Sequence, residues 1–410
     1  MNADELVGII ELGNIDLKCL IFKANTDNIE IVSSSVTPSD GFHNDVVVNL
    51  SKATNAVRSC ISIAEKKAKV SLKKINIVFE QPDFLCTKFS KHKKIDGAKI
   101  HKDDIDFLLK EAKKQLILND KKQSIIHIFN HNYIVDNKPF IEEPIGAYAD
   151  SITHEITFIT APKNNLKNIN QVFVDCDIEI TRLISKGFAQ GAELLNHKEL
   201  ESGSIILDFG FEKTTFILFK KLAVVHSITL PIGSYNIIKD ISKVCSLNID
   251  ESELILKKTD FSFKKNDDLF DNNNYLKKIF FTKSNYRKIS KVLILDVMQA
   301  RLDEIINITK KQLLDIGFTL TSGISILISG DSLTLLKNIE QYFINHFGFN
   351  IKKANIIIIE KDINPDKDFT ACMGALKIIK DGWETEAIPK ISSKNIEKAG
   401  LIERIFKINK

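Results

Sequence analysis

Short stretches rich in apolar, β-branched residues follow one another in threes at two places along the chain. Residues 6–36 give a run ending IIELGN, a second run IDLKCLIFK and a third, IEIVSSS. Residues 203–231 give GSIILDFG, TTFILFKK and LAVVHSITLP in the same order. Runs of this length joined by tight breaks predict a strand followed by a hairpin in each copy. The first strand of each copy ends on an acid, one residue and a glycine, Glu11-Leu12-Gly13 and Asp208-Phe209-Gly210. A helical period comes next, over Ala53–Lys69 after the first copy and Tyr235–Val244 after the second. The chain therefore carries an internal duplication, one copy per half. The predicted fold class is α/β, with two similar lobes around a cleft lined by Gly13, Gly210 and Gly330.

Three other stretches carry a pattern. His101–Leu118 predicts a helix from the spacing Ile105, Leu108, Leu109, Ala112 and Leu116, inside a small α/β subdomain over about 81–161. Ile324–Ser329 reads as a buried strand, Gly330-Asp331-Ser332 as a turn, and Leu333–Phe347 as a helix. A strand, a glycine turn and a helix N-terminus together make an anion or nucleotide site, although alone such a junction is more often structural. Residues 383–398 mix charge, Ser, Pro and Asn without a period and read as a flexible linker. Beyond them Leu401, Ile402, Ile405, Phe406 and Ile408 share a helical face, with Arg404, Lys407 and Lys410 nearby. That pattern by itself fits a membrane-surface helix and a helix docked on the protein's own core equally well.

Composition narrows the classes. The chain has 410 residues, 44% hydrophobic and 27% charged, which suits two lobes with ordinary cores. Its 57 basic and 53 acidic residues leave a net charge of +4, with no global pull toward nucleic acid. The 6 cysteines are scattered and form no CxxC pair, so they read as small buried hydrophobes of a reducing compartment. No apolar run approaches the roughly 18–20 residues of a membrane span. The acidic start MNADELVGII does not match a signal peptide, which predicts a cytoplasmic protein unless a tether intervenes. No Ser-His-Asp, Cys-His or metal-ligand cluster offers separate catalytic chemistry. His127, His154 and His226 lie in strand patterns and read as structural.

The two acid-x-Gly hairpins and the third glycine turn resemble the actin-like ATPase superfamily, and more closely the FtsA family of bacterial cell-division proteins, over nearly the whole chain. The stretch 125–161 is similar to the end of that family's inserted subdomain, with Tyr133, Val135, Asp136, Pro144, Gly146 and His154 matching. HSITLPIGSYNIIKDIS (226–242) resembles the segment after the second hairpin, and ARLDEII (300–306) a helix near which FtsZ tails bind. AGLIERIFKINK (399–410) resembles the membrane-targeting tail. The resemblance implies a first lobe over 1–80 and 162–200, an insert over 81–161, a second lobe over 201–382 and a membrane-targeting helix over 399–410.

It further implies ATP with Mg at a site built from Glu11, Gly13, Asn14, Lys18, Asp208, Gly210, Thr214, Gly233, Glu253, Lys257, Gly330, Asp331 and Ser332. An FtsZ C-terminal tail would dock at Arg301 and Glu304. Anionic lipids would meet Leu401, Ile402, Arg404, Ile405, Phe406, Lys407 and Ile408. Self-association and docking of later division proteins on the insert complete the picture, at the cytoplasmic side of the inner membrane. Several residues depart from the family. Glu11 replaces an aspartate, Phe211-Glu212 a glycine pair, Asp331 and Ser234 further glycines, Ile238 a threonine, and the Glu253–Lys257 spacing is one residue too long. Bulk and like charge in phosphate loops predict weak or absent hydrolysis. A sugar or acetate kinase of the same fold, or another actin-like assembly ATPase of the pilus or cell-shape kind, are the competing expectations.

Overall fold

The computed structural model describes residues 6–24, 29–140, 143–262, 268–317, 324–334, 336–347, 351–353 and 368–387. The membrane-tail residues Leu401, Ile402, Arg404, Ile405, Phe406, Lys407 and Ile408 lie outside the described residues. The chain divides into two units, one of Met1–Gly203, Ile217–Ile228 and Ile356–Lys410, the other of Ser204–Phe216 and Thr229–Asn355.

The first unit opens with strands β1 (Leu6–Glu11), β2 (Asp16–Ala24) and β3 (Ile29–Pro38), helix α1 (Leu50–Ala68) and strand β4 (Lys74–Phe79). Next come β5 (Leu85–Lys94), α2 (Lys102–Asn119), β6 (Gln123–Val135), β7 (Lys138–Phe140) and β8 (Ser151–Pro162). Helix α3 (Lys163–Val174), strand β9 (Glu179–Ser185) and helix α4 (Lys186–Leu194) return to the first sheet. That sheet has the order β9-β4-β1-β2-β3, with β1 antiparallel to β2 and parallel to β4. Helix α1 begins before the apolar period does, because the Asn49 side chain accepts the Lys52 N–H at 3.0 Å and caps it. Its buried Ala53, Thr54, Val57, Cys60, Ile61 and Ala64 fall within the helical period expected over Ala53–Lys69.

Between β4 and α3 lies a separate antiparallel sheet of order β5-β8-β6-β7. Helix α2 is started by a capping box in which Asp104 accepts the His101 N–H at 2.7 Å. Its Ala112 and Leu116 pack with Phe89, Ile128, Ile156 and Phe158 of the sheet, and Ile105 and Leu108 with Ile152 and Val135. The insert thus has its own two cores, one under each end of the helix.

The third sheet repeats the plan of the first. It uses β10 (Ser204–Phe209), β11 (Thr214–Lys220), β12 (Ala223–Leu230), β13 (Ser325–Ser329) and β14 (Ile351–Lys353), in the order β12-β11-β10-β13-β14. The second unit also contains helices α5 (Ser234–Val244), α6 (Ile249–Lys258), α7 (Lys291–Asp315) and α8 (Ile339–Phe347). The fold is the actin-like two-lobe plan with an inserted subdomain.

Two expectations are corrected. The helix predicted over Leu333–Phe347 starts only at Ile339, after a short 3-10 turn, Asp331–Thr334. Lys337 offers its carbonyl to Phe261 N at 2.9 Å, and Asn338 sits at φ 57 with its side chain on Asp260. That bridge needs extended backbone, which a continuous helix would not supply. The linker expected over 383–398 does not begin at Trp383, since residues 383–387 form a packed strap. After helix α9 (Thr370–Asp381) the Trp383 indole stacks edge-on against Phe188 and donates to Leu222 O at 2.6 Å. Asn130 N donates to Thr385 O and Ala387 N to Ile128 O, so the strap pairs with β6 of the insert. Glu386 is held between His127, at 2.8 Å, and Arg182. Polar composition suggested a solvated stretch, but its polar groups have buried partners.

Candidate functional site

In the first unit, β1 delivers Glu11 at its C-terminal end, in register opposite Lys18 of β2. The two side chains are 3.5 Å apart, Lys18 Nζ to Glu11 Oε2. On the other carboxylate oxygen sits Lys186 Nζ, also at 3.5 Å, from the first residue of α4. All three are buried, at 2%, 4% and 8% exposure. Ammonium groups buried to this degree persist only beside a carboxylate, and here two share one.

Lys186 was missed by the sequence reading. Its signal was there: a cation at the first position of a helix opposes the helix dipole and calls for a nearby acid. The turn carrying it is fixed from beneath, because Glu80 Oε2 accepts both Ser185 Oγ, at 2.6 Å, and Gly187 N, at 3.1 Å. Asp45 in turn accepts Glu80 N at 2.9 Å, and its own N–H donates to Asn14 Oδ1 at 3.2 Å. Asn14 therefore braces the hairpin turn. Gly13 sits in that same turn, where a Cβ would lie 2.6 Å from Asp16 O.

In the second unit, Asp208, next to last in β10, lies beside Ser329 of β13, whose hydroxyl donates to it at 3.4 Å. Gly210 N bonds Lys213 O at 2.9 Å, closing the turn of the second hairpin, and Thr214 Oγ1 donates to Ile232 O at 2.6 Å. Phe211, in place of the expected glycine, stacks on Tyr235 of α5 with ring centroids 4.9 Å apart. The loop is pressed on the start of α5: Ser234 N donates to Gly210 O at 3.1 Å and Tyr235 N to Phe211 O at 2.8 Å. Gly233 N is taken by the Asn236 side chain at 3.0 Å. A side chain at 233 would meet Phe211 O at 2.4 Å, so only glycine allows this approach. Gly330 has φ 116 and lies over Phe209, and Ser332 Oγ is 2.7 Å from Ser234 Oγ. Asp208, Gly210, Thr214, Gly233, Gly330, Asp331 and Ser332 thus come from adjoining turns of one unit.

Other expected residues lie apart from these turns. Glu253 and Lys257 form an i,i+4 pair at 2.6 Å on the outer face of α6. The buried acid of that helix is Glu251, which accepts Asn248 N and Ser284 N, both at 2.8 Å. Burial alone would raise its pKa, but these bonds and those from Lys283 N and Ser284 Oγ bring it down to about 2. Arg301 of α7 pairs with Glu304 on its own helix and, at 2.7 Å, with Asp240 of α5. The hydrogen bond to Asp240 raises the guanidinium's pKa further. Arg301 is therefore a clamp between two helices as well as a surface charge.

ATP with Mg fits these residues poorly. Each oxygen of Glu11 already faces an ammonium group, and the first amides of α5, where an anion would be held, are turned onto the second hairpin's own carbonyls.

The family model described as the SHS2 domain inserted in FTSA matches residues 85–160, the insert from β5 to β8. The cell division protein FtsA of Bacillus subtilis is 23% identical over 345 residues, covering 81% of this chain and 75% of that protein. FtsA of Neisseria meningitidis is 22% identical, covering 78% of this chain and 79% of its own. Among solved structures, a PilM-PilN type IV pilus biogenesis complex superposes with a TM-score of 0.60 at 12% identity, over 90% of this chain and 98% of that one. At that identity the likeness speaks for the fold alone. The insert stands in the first lobe and the sequence likeness runs through both halves, so what this chain is similar to over most of its length is the FtsA group of cell-division proteins.

Proposed function

We propose that this division scaffold tethers FtsZ filaments to the cytoplasmic face of the inner membrane at the division site. It associates with copies of itself and receives later division proteins on the inserted subdomain. The observation that carries this reading is the insert itself, a self-contained sheet and helix spliced between β4 and α3. No helix among the described residues is long and apolar enough to cross a membrane. The tether is assigned to 399–410 from the apolar face and neighbouring cations of that stretch of sequence. A kinase of the same fold would need open phosphate loops, and the contact of the second hairpin with α5 argues against one. The test is co-sedimentation. Purified protein with anionic liposomes is expected to bring FtsZ down with it, and FtsZ remaining in the supernatant would overturn the tether.

The FtsZ tail, acidic and apolar, is assigned to the face of α7 around Arg301 and Glu304, where an arginine can meet a carboxylate. Arg301→Glu is expected to weaken tail binding at least about tenfold in a polarisation assay, the scale of one charged hydrogen bond. Because Arg301 also clamps α5, Asp240→Asn serves as control, breaking the same clamp while keeping the arginine. Equal losses in both variants would send the effect to helix packing and the tail elsewhere.

For nucleotide, replacing Phe211 and Glu212 together by glycine is expected to raise ATP affinity by at least about tenfold in calorimetry. It removes one ring and one like charge, the latter worth about 4 kcal/mol at 4 Å and an effective dielectric near 20. Unchanged affinity would show that this turn is not what limits nucleotide binding.

A further inference from the structure

We propose that Lys18 and Lys186 stand where a divalent cation would sit beside Glu11, so that the first hairpin is closed from within and the scaffold works without nucleotide. This rests on reading Glu11-Leu12-Gly13 as the first phosphate hairpin. The two ammonium groups are divided one per oxygen, Lys18 on Oε2 and Lys186 on Oε1, each at 3.5 Å. A magnesium ion, whether bound directly or through its waters, would have to approach a carboxylate already flanked by two positive charges. To make room, one lysine would have to leave Glu11 while still buried.

Neither lysine is placed by chance. Lys18 is the cross-strand partner of Glu11 in an antiparallel pair, which fixes its Cα directly opposite. Lys186 is held by the Ser185–Gly187 turn, whose hydroxyl and amide both end on Glu80. The second hairpin is closed by different means, its carbonyls taking the Ser234 and Tyr235 amides at the head of α5. The Glu11 carboxylate in one half and the hairpin carbonyls in the other thus have partners within the chain, as expected of a chain whose folding and assembly do not wait on a ligand.

Thermal unfolding of the full chain tests this in four arms: buffer, Mg alone, ATP with EDTA, and ATP with Mg, each ligand at millimolar concentration. The midpoint is expected to stay within about 1 °C in all four, since a ligand that does not bind the folded state shifts nothing. A rise of several degrees with ATP and Mg would overturn the proposal, and so would a rise with ATP and EDTA, which would make the lysines a metal-free phosphate site. Lys186→Met and Glu11→Gln are each expected to lower the midpoint, while the double variant loses less than the sum. Strict additivity would also overturn it, because the two groups would then not be coupled. Liposome and FtsZ co-sedimentation in the same four buffers separates the two readings. Nucleotide-dependent co-sedimentation sinks the internal closure alone, whereas its absence in every buffer sinks the tether.

Discussion

Phe406→Glu is expected to strip the protein from anionic vesicles. The proposed anchor has five apolar side chains on one face, at 401, 402, 405, 406 and 408, and Phe406 is the largest. Removing a buried Phe side chain loses about 1.5–3 kcal/mol, and a carboxylate at hydrocarbon depth costs about 2.5–3.5. A combined loss of about 4 kcal/mol is a factor near a thousand in partitioning, more than a twelve-residue helix can absorb. Raising salt should weaken the unaltered protein as well, through Arg404 and Lys407, because attraction to anionic headgroups is screened within a Debye length of about 8–10 Å. So weak a single anchor would hold filaments well only when many act together. A helix docked on the protein's own second lobe predicts the reverse, a lowered melting temperature with sedimentation unaffected. That outcome would remove the membrane assignment.

Glu386→Gln is expected to destabilise the first unit by on the order of 3 kcal/mol and to flatten its acid unfolding, read by melting between pH 7 and pH 3. Ser185 N–H donates to His127 Nε2 at 2.9 Å, so the ring's proton lies on Nδ1 and is donated to Glu386. Burial alone would raise the pKa of Glu386, but the His127 bond and the Arg182 charge carry it from 4.5 down to about 2. A carboxylate depressed on folding contributes stability that is full above 4.5 and is lost as pH falls through about 2. His127 works in the same direction. Burial, outweighing Glu386, lowers its pKa below 6.5, so the unfolded chain binds its proton first and stability declines as pH drops below that value. The strap should therefore loosen progressively on acidification, and Glu386→Gln should remove the lower part of that slope. Identical pH profiles for the two proteins would show that the strap is held by Trp383 alone.

Much of this architecture is written in the local pattern of the chain. The paired strand triplets, the stripe of α1, the Ile105-Leu108-Ala112-Leu116 face of α2 and the turn at Gly330 all appear where periodicity and glycine placed them. Such signals are local: a strand reads two residues ahead and a helix three or four, so a buried face is visible within one window. The site was less legible. Lys18 was expected at the site as a phosphate partner, and its pairing with Glu11 lies within one hairpin, but Lys186 arrives from a different element, and no spacing rule relates it to the first hairpin.

The same holds for Arg301 on Asp240, for the Lys337 carbonyl that interrupts a helical pattern, and for the strap at 383–387. Each joins groups remote in sequence, and each overrides a local preference because a buried charge or backbone amide left without a partner costs more than any propensity term. The sequence by itself thus determined which residues form the lobes and their insert. Only the tertiary structure decided which charges neutralise one another, Lys18 and Lys186 on Glu11 and Arg301 on Asp240.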